Sequence, residues 1–269
     1  MAVTRNSLRL LVAAIIAICT LDVGASVGEP PKTVLVFVDL SDSTKTHRDD
    51  YRRYFGMVLD RLGDGDKLIV ASIEKAPTGR SIVRMKVELK VRDPLFDTAT
   101  AGIKSRKQLY CAQQDFQKLV ETQSSETPIV DSLLEAHRLF ANVTNPRHVV
   151  VLLSDMKESW KGGPNFEAKN FAMPEKKTNE LLAKLRNQQR IADLTDARIY
   201  VAGARDDRPV VQKEIGGFWA AYFHEAKADF DVDRYGPELL SFEECASCDK
   251  KDRFSKVNGY QPTPVPDCK

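Results

Sequence analysis

An acidic, hydroxyl-rich segment directly follows an apolar run near the start of the chain. The segment VLVFVDLSDST covers residues 34–44, and its five apolar residues lead into Asp39, Ser41 and Ser43. Carboxylate and hydroxyl oxygens are the ligands that hard divalent cations such as Mg²⁺ prefer. The segment is therefore a candidate for half of a metal site, although Ser43 or Thr44 also suits the N-cap of a following helix.

Two later segments carry side chains of the same kind. Thr127 and Pro128 open an amphipathic stretch, and Asp155 ends the apolar run HVVVLLSD. Each has an ordinary structural explanation, because Thr followed by Pro is favoured at the start of a helix and Asp bonds readily to loop amides. Taken with the first segment, they form a set of oxygen ligands in which only Asp39 and Asp155 bring charge.

Apolar runs and helical patterns alternate along the chain. Short apolar runs predict strands, and apolar residues at helical spacing predict helices. The predicted strands cover 34–38, 67–73, 148–154 and 198–204, and the predicted helices cover 46–62, 104–122, 128–141, 175–192 and 209–226. A short last strand is expected in ADFDV at 228–232. This alternation predicts a three-layer, doubly wound α/β fold with a mostly parallel sheet.

Residues 81–92 follow a different pattern. In SIVRMKVELKVR, apolar residues alternate with arginine, lysine and glutamate. Alternation with one charged face predicts a half-exposed strand at the edge of the sheet. Because only a short connection separates it from the strand at 67–73, we expect these two strands to be antiparallel.

The predicted fold brings the three candidate segments to one place. In an open parallel sheet the carboxyl ends of the strands share one edge, and ligands bind there near the point where the strand order reverses. Asp39 and Asp155 end two predicted strands, and Thr127 opens a helix at the same edge. We therefore expect one site at this edge of the sheet.

Together these residues resemble the von Willebrand factor A-type (vWA) domain and its metal-ion-dependent adhesion site. That family has Asp-x-Ser-x-Ser after the first strand, a threonine in a later loop and an aspartate at the end of the fourth strand. Here Asp39, Ser41 and Ser43 match the first part, Thr127 matches the second and Asp155 matches the third. The predicted antiparallel edge strand also fits the family.

The resemblance implies binding without the making or breaking of bonds. Ser41, Ser43 and Thr127 would bind the ion directly, while Asp39 and Asp155 would act largely through bound water. The ion would be Mg²⁺, with Mn²⁺ or Ca²⁺ as alternatives. Its open coordination position would take a carboxylate from another protein, which is the expected partner.

Two neighbouring features bear on this expectation. Asp42 lies inside the motif, and a third carboxylate facing the ion would weaken its pull on a partner's acid. The long loop after Asp155 contains Trp160, Phe166 and Phe171. Two interpretations stay open for this loop, namely part of a binding face or a self-packed segment.

The two ends of the chain lie outside the predicted domain, which covers 30–242. A basic start followed by a largely apolar run of 12 residues predicts a signal peptide over 1–25, with an uncleaved membrane anchor as the alternative. We therefore expect an extracytoplasmic protein, periplasmic or secreted, exported from a bacterial cytoplasm. Residues 243–269 form a polar tail with three prolines.

Four cysteines remain after the predicted signal peptide. An even number in an oxidising compartment predicts disulfides, and three pairings are open among Cys111, Cys245, Cys248 and Cys268. The CASC segment that holds two of them has redox and zinc-binding alternatives, the zinc site using all four thiols.

Composition narrows the remaining function classes. The chain of 269 residues has a formal net charge of +2 and no basic tract interleaved with aromatic residues, so nucleic-acid binding is not predicted. It has neither a Gly-rich phosphate loop nor a Gly-x-Ser-x-Gly motif, so we do not expect an enzyme. A metal-free structural scaffold is the main alternative function. A metal-dependent phosphatase is another, although Ser41 stands where a second acid is usual.

Overall fold

Six strands form one sheet in the order β3-β2-β1-β4-β5-β6. The computed structural model describes residues 29–74, 81–91, 99–160, 164–239, 242 and 268. The strands are β1 (Lys32–Asp39), β2 (Lys67–Ile73), β3 (Val83–Glu88), β4 (Arg147–Leu153), β5 (Arg198–Ala202) and β6 (Tyr235–Gly236). β3 is antiparallel to β2, and the other pairings are parallel. The predicted α/β fold, with its single antiparallel edge strand, is confirmed.

Helices cover both faces of this sheet. Those in the described residues are α1 (Arg48–Asp60), α2 (Ala99–Leu119), α3 (Ile129–Ala141), α4 (Glu175–Asn187) and α5 (Pro209–Glu225). Two short 3₁₀ helices, Asp42–His47 and Val232–Arg234, precede α1 and β6.

The two faces of β1 enter two different cores. Val34, Val36 and Val38 pack with residues of α1 and α2, whereas Leu35 and Phe37 pack with residues of α3, α4 and α5. All five side chains are fully buried. Burial on both faces is why the strand has an unbroken apolar sequence, and it fixes the position of Asp39 at the end of the strand.

The structure differs from two of the predicted elements. One predicted strand is not formed, and one helix ends earlier than predicted. The prediction of a strand at 228–232 is wrong, because Asp229 makes only an isolated bridge to Arg198 and the last strand, β6, comes later. α4 ends at Asn187 rather than 192, because Gln189 has a φ of 55° and a left-handed residue stops a helix.

One disulfide joins Cys111 of α2 to Cys268. The prediction of a disulfide is confirmed for this pair, and the zinc alternative that used both thiols is excluded. Cys245 and Cys248 lie outside the described residues. Phe242 packs against Tyr200 of β5 with ring centroids 4.9 Å apart, so the chain is attached to the domain on both sides of 243–267.

The predicted signal peptide at 1–25 also lies outside the described residues. Within the part of the chain that the structure describes, no helix combines the length and apolarity needed to span a membrane.

Candidate metal centre

Asp39 is the innermost acid of the site. It is the last residue of β1 and is fully buried. Its Oδ1 accepts a hydrogen bond from the Ser41 amide at 2.9 Å, and its Oδ2 accepts one from Ser154 Oγ at 2.7 Å. Both carboxylate oxygens are therefore held by neighbouring residues, which orients the group.

Ser41 and Ser43 present their hydroxyls next to each other. The two Oγ atoms lie 3.1 Å apart. Neighbouring ligands of an octahedral Mg²⁺ with bonds of about 2.1 Å lie about 3 Å apart, so this spacing fits two adjacent positions of one ion.

The turn that carries these serines is braced by Thr44. Its Oγ1 donates to the carbonyl oxygens of Asp39 and Ser41, at 2.9 and 3.0 Å. Thr44 is therefore a turn residue, and neither it nor Ser43 is the N-cap of α1, which His47 occupies.

Asp155 lies directly beyond β4 and is 5% exposed. Its Oδ1 accepts a hydrogen bond from the Lys157 amide at 3.0 Å. Its Oδ2 is buried and makes no hydrogen bond with the described residues, and the nearest cation, Lys157 Nζ, is 3.7 Å away. A buried carboxylate oxygen with no hydrogen-bond donor is what a bound ion or its water would satisfy.

Thr127 reaches the site on a loop rather than on the first turn of a helix. It exchanges backbone hydrogen bonds with Ser159 at 2.6 and 3.1 Å. The interpretation of Thr127 as a helix N-cap is wrong, since Pro128 is the N-cap of α3 and makes no side-chain cap. Instead Glu158 Oε2 accepts from the Val130 amide at 3.1 Å and caps the helix from another loop.

A polar cleft of about 350 Å³ unites these segments. The three residues expected to bind the ion directly, Ser41, Ser43 and Thr127, all line it. Asp39 and Asp155 are buried and do not line it. The other residues lining the cleft are Asp42, Ser124, Ser125, Lys157, Ser159, Glu167 and Arg208.

The two buried acids make the site receptive to a cation. Burial, followed by the charge of Asp155, raises the pKa of Asp39 to about 7. Burial also raises the pKa of Asp155, against the opposing effects of the Lys157 amide and ammonium. A divalent cation at the serine hydroxyls would favour the ionised form of both acids. The residues present thus fit a hard cation.

No group of three or more His, Cys, Asp or Glu side chains within the described ranges is arranged to hold a metal ion. The cleft offers the hydroxyls of Ser41, Ser43 and Thr127 for direct contact with an ion. Hydroxyls are neutral ligands, so they leave the ion most of its charge for an outside anion.

The structure shows the surroundings of Asp42 and of the long loop that follows Asp155. Asp42 is exposed at the cleft and accepts a hydrogen bond from Gln123. Phe166 is fully buried and packs on Phe171 and Phe218. The middle of this loop therefore packs on itself and on α5. The guanidinium carbon of Arg190 lies 4.7 Å from the centroid of the Trp160 ring.

Sequence reasoning assigned no role to four residues of the site. Ser154 holds Asp39, Glu158 caps α3, and Lys157 and Arg208 bring cations to the cleft. Of these four residues, only Ser154 could have been predicted from the sequence. It directly precedes Asp155 at the end of an apolar run, which places it at the carboxyl edge of the sheet.

Comparison with known proteins finds likeness among solved structures. No protein-family model and no curated protein matches the chain. The pilus adhesin SpaC from Lactobacillus rhamnosus GG, in its open conformation, is 14% identical over 76% of this chain and 28% of its own, with a TM-score of 0.41. A von Willebrand factor type A structure from Catenulispora acidiphila is 14% identical over 74% of this chain and 42% of its own, with a TM-score of 0.39.

A manganese-loaded TRAP protein from Plasmodium vivax is 15% identical over 71% of this chain and 64% of its own, with a TM-score of 0.34. This chain spans less than two thirds of the length of each of these three structures. The structures that match include a von Willebrand factor type A domain.

Proposed function

We propose that this chain binds another protein in a manner that depends on a divalent cation held at Asp39, Ser41, Ser43, Thr127 and Asp155. The observation that carries the proposal is the placement of three hydroxyl-bearing side chains in one cleft, beside two buried acids whose pKa values are raised. Such a site attracts a cation and leaves it electrophilic.

Each residue has a distinct task in this proposal. Ser41, Ser43 and Thr127 bind the cation directly, and Asp39 and Asp155 orient its water. The cation is Mg²⁺, with Mn²⁺ or Ca²⁺ as substitutes, because the donor set is made of oxygen only. When bound, it supplies an open position for a carboxylate of the partner. We place this activity outside the cytoplasm, after removal of residues 1–25.

Replacing Ser41 with Ala is expected to weaken cation-dependent binding while the domain stays folded. Its hydroxyl is one of the adjacent pair 3.1 Å apart, so its loss removes a ligand and lowers Mg²⁺ affinity roughly tenfold or more. The measurement is calorimetric Mg²⁺ affinity, followed by retention of extracytoplasmic proteins on the immobilised chain in Mg²⁺ and in EDTA.

The matched control is Ser125→Ala, which removes another hydroxyl from the same cleft outside the proposed ligand set. We expect this variant to behave as the unmodified chain does. Equal Mg²⁺ affinity for Ser41→Ala and the unmodified chain would contradict the ligand assignment. A partner retained equally in EDTA would contradict the dependence on a cation.

A further inference from the structure

Lys157 stands between the candidate metal site and the loop that follows β5. Its side chain is 18% exposed and lines the cleft. Its Nζ lies 3.7 Å from Asp155 Oδ2 and 3.3 Å from Asp206 Oδ2. The ammonium is therefore shared between a carboxylate of the site and a carboxylate outside it.

The negative charge of Asp206 is balanced chiefly by the guanidinium of Arg208 rather than by Lys157. Arg208 donates from Nε to Oδ1 at 2.9 Å and from Nη2 to Oδ2 at 3.1 Å, and its amide also donates to Oδ1 at 2.8 Å. These contacts hold the pKa of Asp206 well below its usual range, with the Arg208 side chain as the largest cause and Lys157 as a smaller one. Asp206 therefore has Arg208 as its main partner, although the Lys157 ammonium lies nearer to Asp206 than to Asp155.

The pairing of Lys157 with Asp155 is loose. A separation of 3.7 Å is longer than a hydrogen bond, so the two groups attract each other without a fixed geometry. A divalent cation beside Asp155 would compete for that carboxylate and repel the ammonium. Binding of the ion would therefore weaken the hold of Asp155 on Lys157, whose side chain already lines the cleft.

An anion that enters the cleft needs a positively charged side chain on the cleft wall, because acidic side chains also lie there. Asp42 and Glu167 also line the cleft and would repel an incoming carboxylate. The cations on the cleft wall are Lys157 and Arg208, and the guanidinium of Arg208 is already occupied by Asp206 and the Lys169 carbonyl. Lys157 is held more loosely, at 3.3 Å from Asp206 and 3.7 Å from Asp155, so it is the better placed of the two to bind a new negative charge.

We propose, resting on the function given above, that Lys157 is a specificity-determining residue that donates to the acidic side chain of the partner beside the ion. The ion binds one oxygen of that carboxylate, and the ammonium selects a carboxylate over a neutral amide of the same shape. Occupancy by the ion and recognition of the acid are coupled, because the ion displaces Lys157 from Asp155.

The test uses the full chain loaded with Mn²⁺ and a probe with one carboxylate, N-acetylaspartate methylamide. Its neutral counterpart, N-acetylasparagine methylamide, is the comparison probe. Lys157→Met is compared with Lys169→Met, which removes the same charge from an exposed position in the same loop but outside the cleft wall. Water-proton relaxation of the bound Mn²⁺ reports both ion affinity and displacement of its water by the probe.

We expect Lys157→Met to bind the acid roughly tenfold more weakly, as the loss of a charge-assisted hydrogen bond implies, with Mn²⁺ affinity unchanged or higher. Lys169→Met should match the unmodified chain, and the neutral probe should not distinguish the variants. Unchanged acid affinity in Lys157→Met, or no acid binding by the unmodified Mn²⁺-loaded chain, would overturn the inference.

Reduced Mn²⁺ affinity in Lys157→Met would also overturn the inference, because it would make the lysine part of the ion site itself. Failure of the unmodified chain to bind Mn²⁺ is a different result. It would refute the proposed function first and this inference with it.

Discussion

Replacing Cys111 and Cys268 with serine is expected to lower the free energy of unfolding by roughly 5 kcal/mol. The disulfide joins residues 157 positions apart, and the loss of loop-closure entropy in the unfolded chain grows with that separation. Urea unfolding under non-reducing conditions, followed by circular dichroism, measures the difference between the variant and the unmodified chain.

Each single variant provides the control for this prediction. Either substitution alone breaks the same bond, so each should lose about as much stability as the double variant. A double variant as stable as the unmodified chain would contradict the pairing or its contribution. A single variant markedly more stable than the double variant would show that the remaining thiol has found another partner.

Replacing Glu158 with Gln is expected to stabilise the protein more strongly as the pH rises. Burial raises the pKa of Glu158 to about 8, and the opposing hydrogen bonds from the Val130 and Ile129 amides are weaker effects. A carboxyl whose pKa is higher in the folded chain stabilises that state fully below its unfolded pKa of 4.5, and this contribution is lost as the pH rises through about 8.

The glutamine variant stays neutral and keeps an oxygen to accept from the Val130 amide at the start of α3. Between pH 6 and 8, the unmodified chain should lose about 2 kcal/mol of stability relative to Glu158→Gln. Denaturant unfolding at several pH values measures this difference. Glu180→Gln, at an exposed position of α4, should leave the pH dependence unchanged.

A difference between Glu158→Gln and the unmodified chain that does not vary with pH would refute the role assigned to the protonated carboxyl. The comparison isolates Glu158, because Asp39 is present in both proteins and its own titration cancels.

Features that depend on the local pattern of apolar and polar residues could be predicted from the sequence. The run 34–38 is apolar because β1 is buried on both faces, and residues 81–92 alternate because β3 has one exposed face. Asp39 and Asp155 come to the same edge because β1 and β4 are parallel neighbours. The shared location of these two acids is therefore a consequence of strand polarity and strand order.

Other features depend on contacts between distant parts of the chain. Glu158 caps α3 from a loop 28 residues away, and no spacing rule connects the two segments. The choice of Cys268 as the partner of Cys111 joins residues 157 positions apart, and no local pattern connects them. The last strand is only two residues long, so its pattern is too short to distinguish from a loop.

The central claim is that Asp39 and the hydroxyls around it form a working cation site. The most direct measurement is a calorimetric titration of Mg²⁺ and Mn²⁺ into the unmodified chain and into Asp39→Asn, at a pH above the value of about 7 at which Asp39 ionises. The asparagine keeps an oxygen for the Ser41 amide, so thermal unfolding should confirm that the variant is folded.

We expect one ion per unmodified chain and an affinity on the order of 100-fold lower for Asp39→Asn. Equal binding by both proteins would contradict the assignment of Asp39. If the folded, unmodified chain bound no ion, even with a carboxylate probe present to complete the coordination, the claim would be wrong and the domain would be a metal-free scaffold.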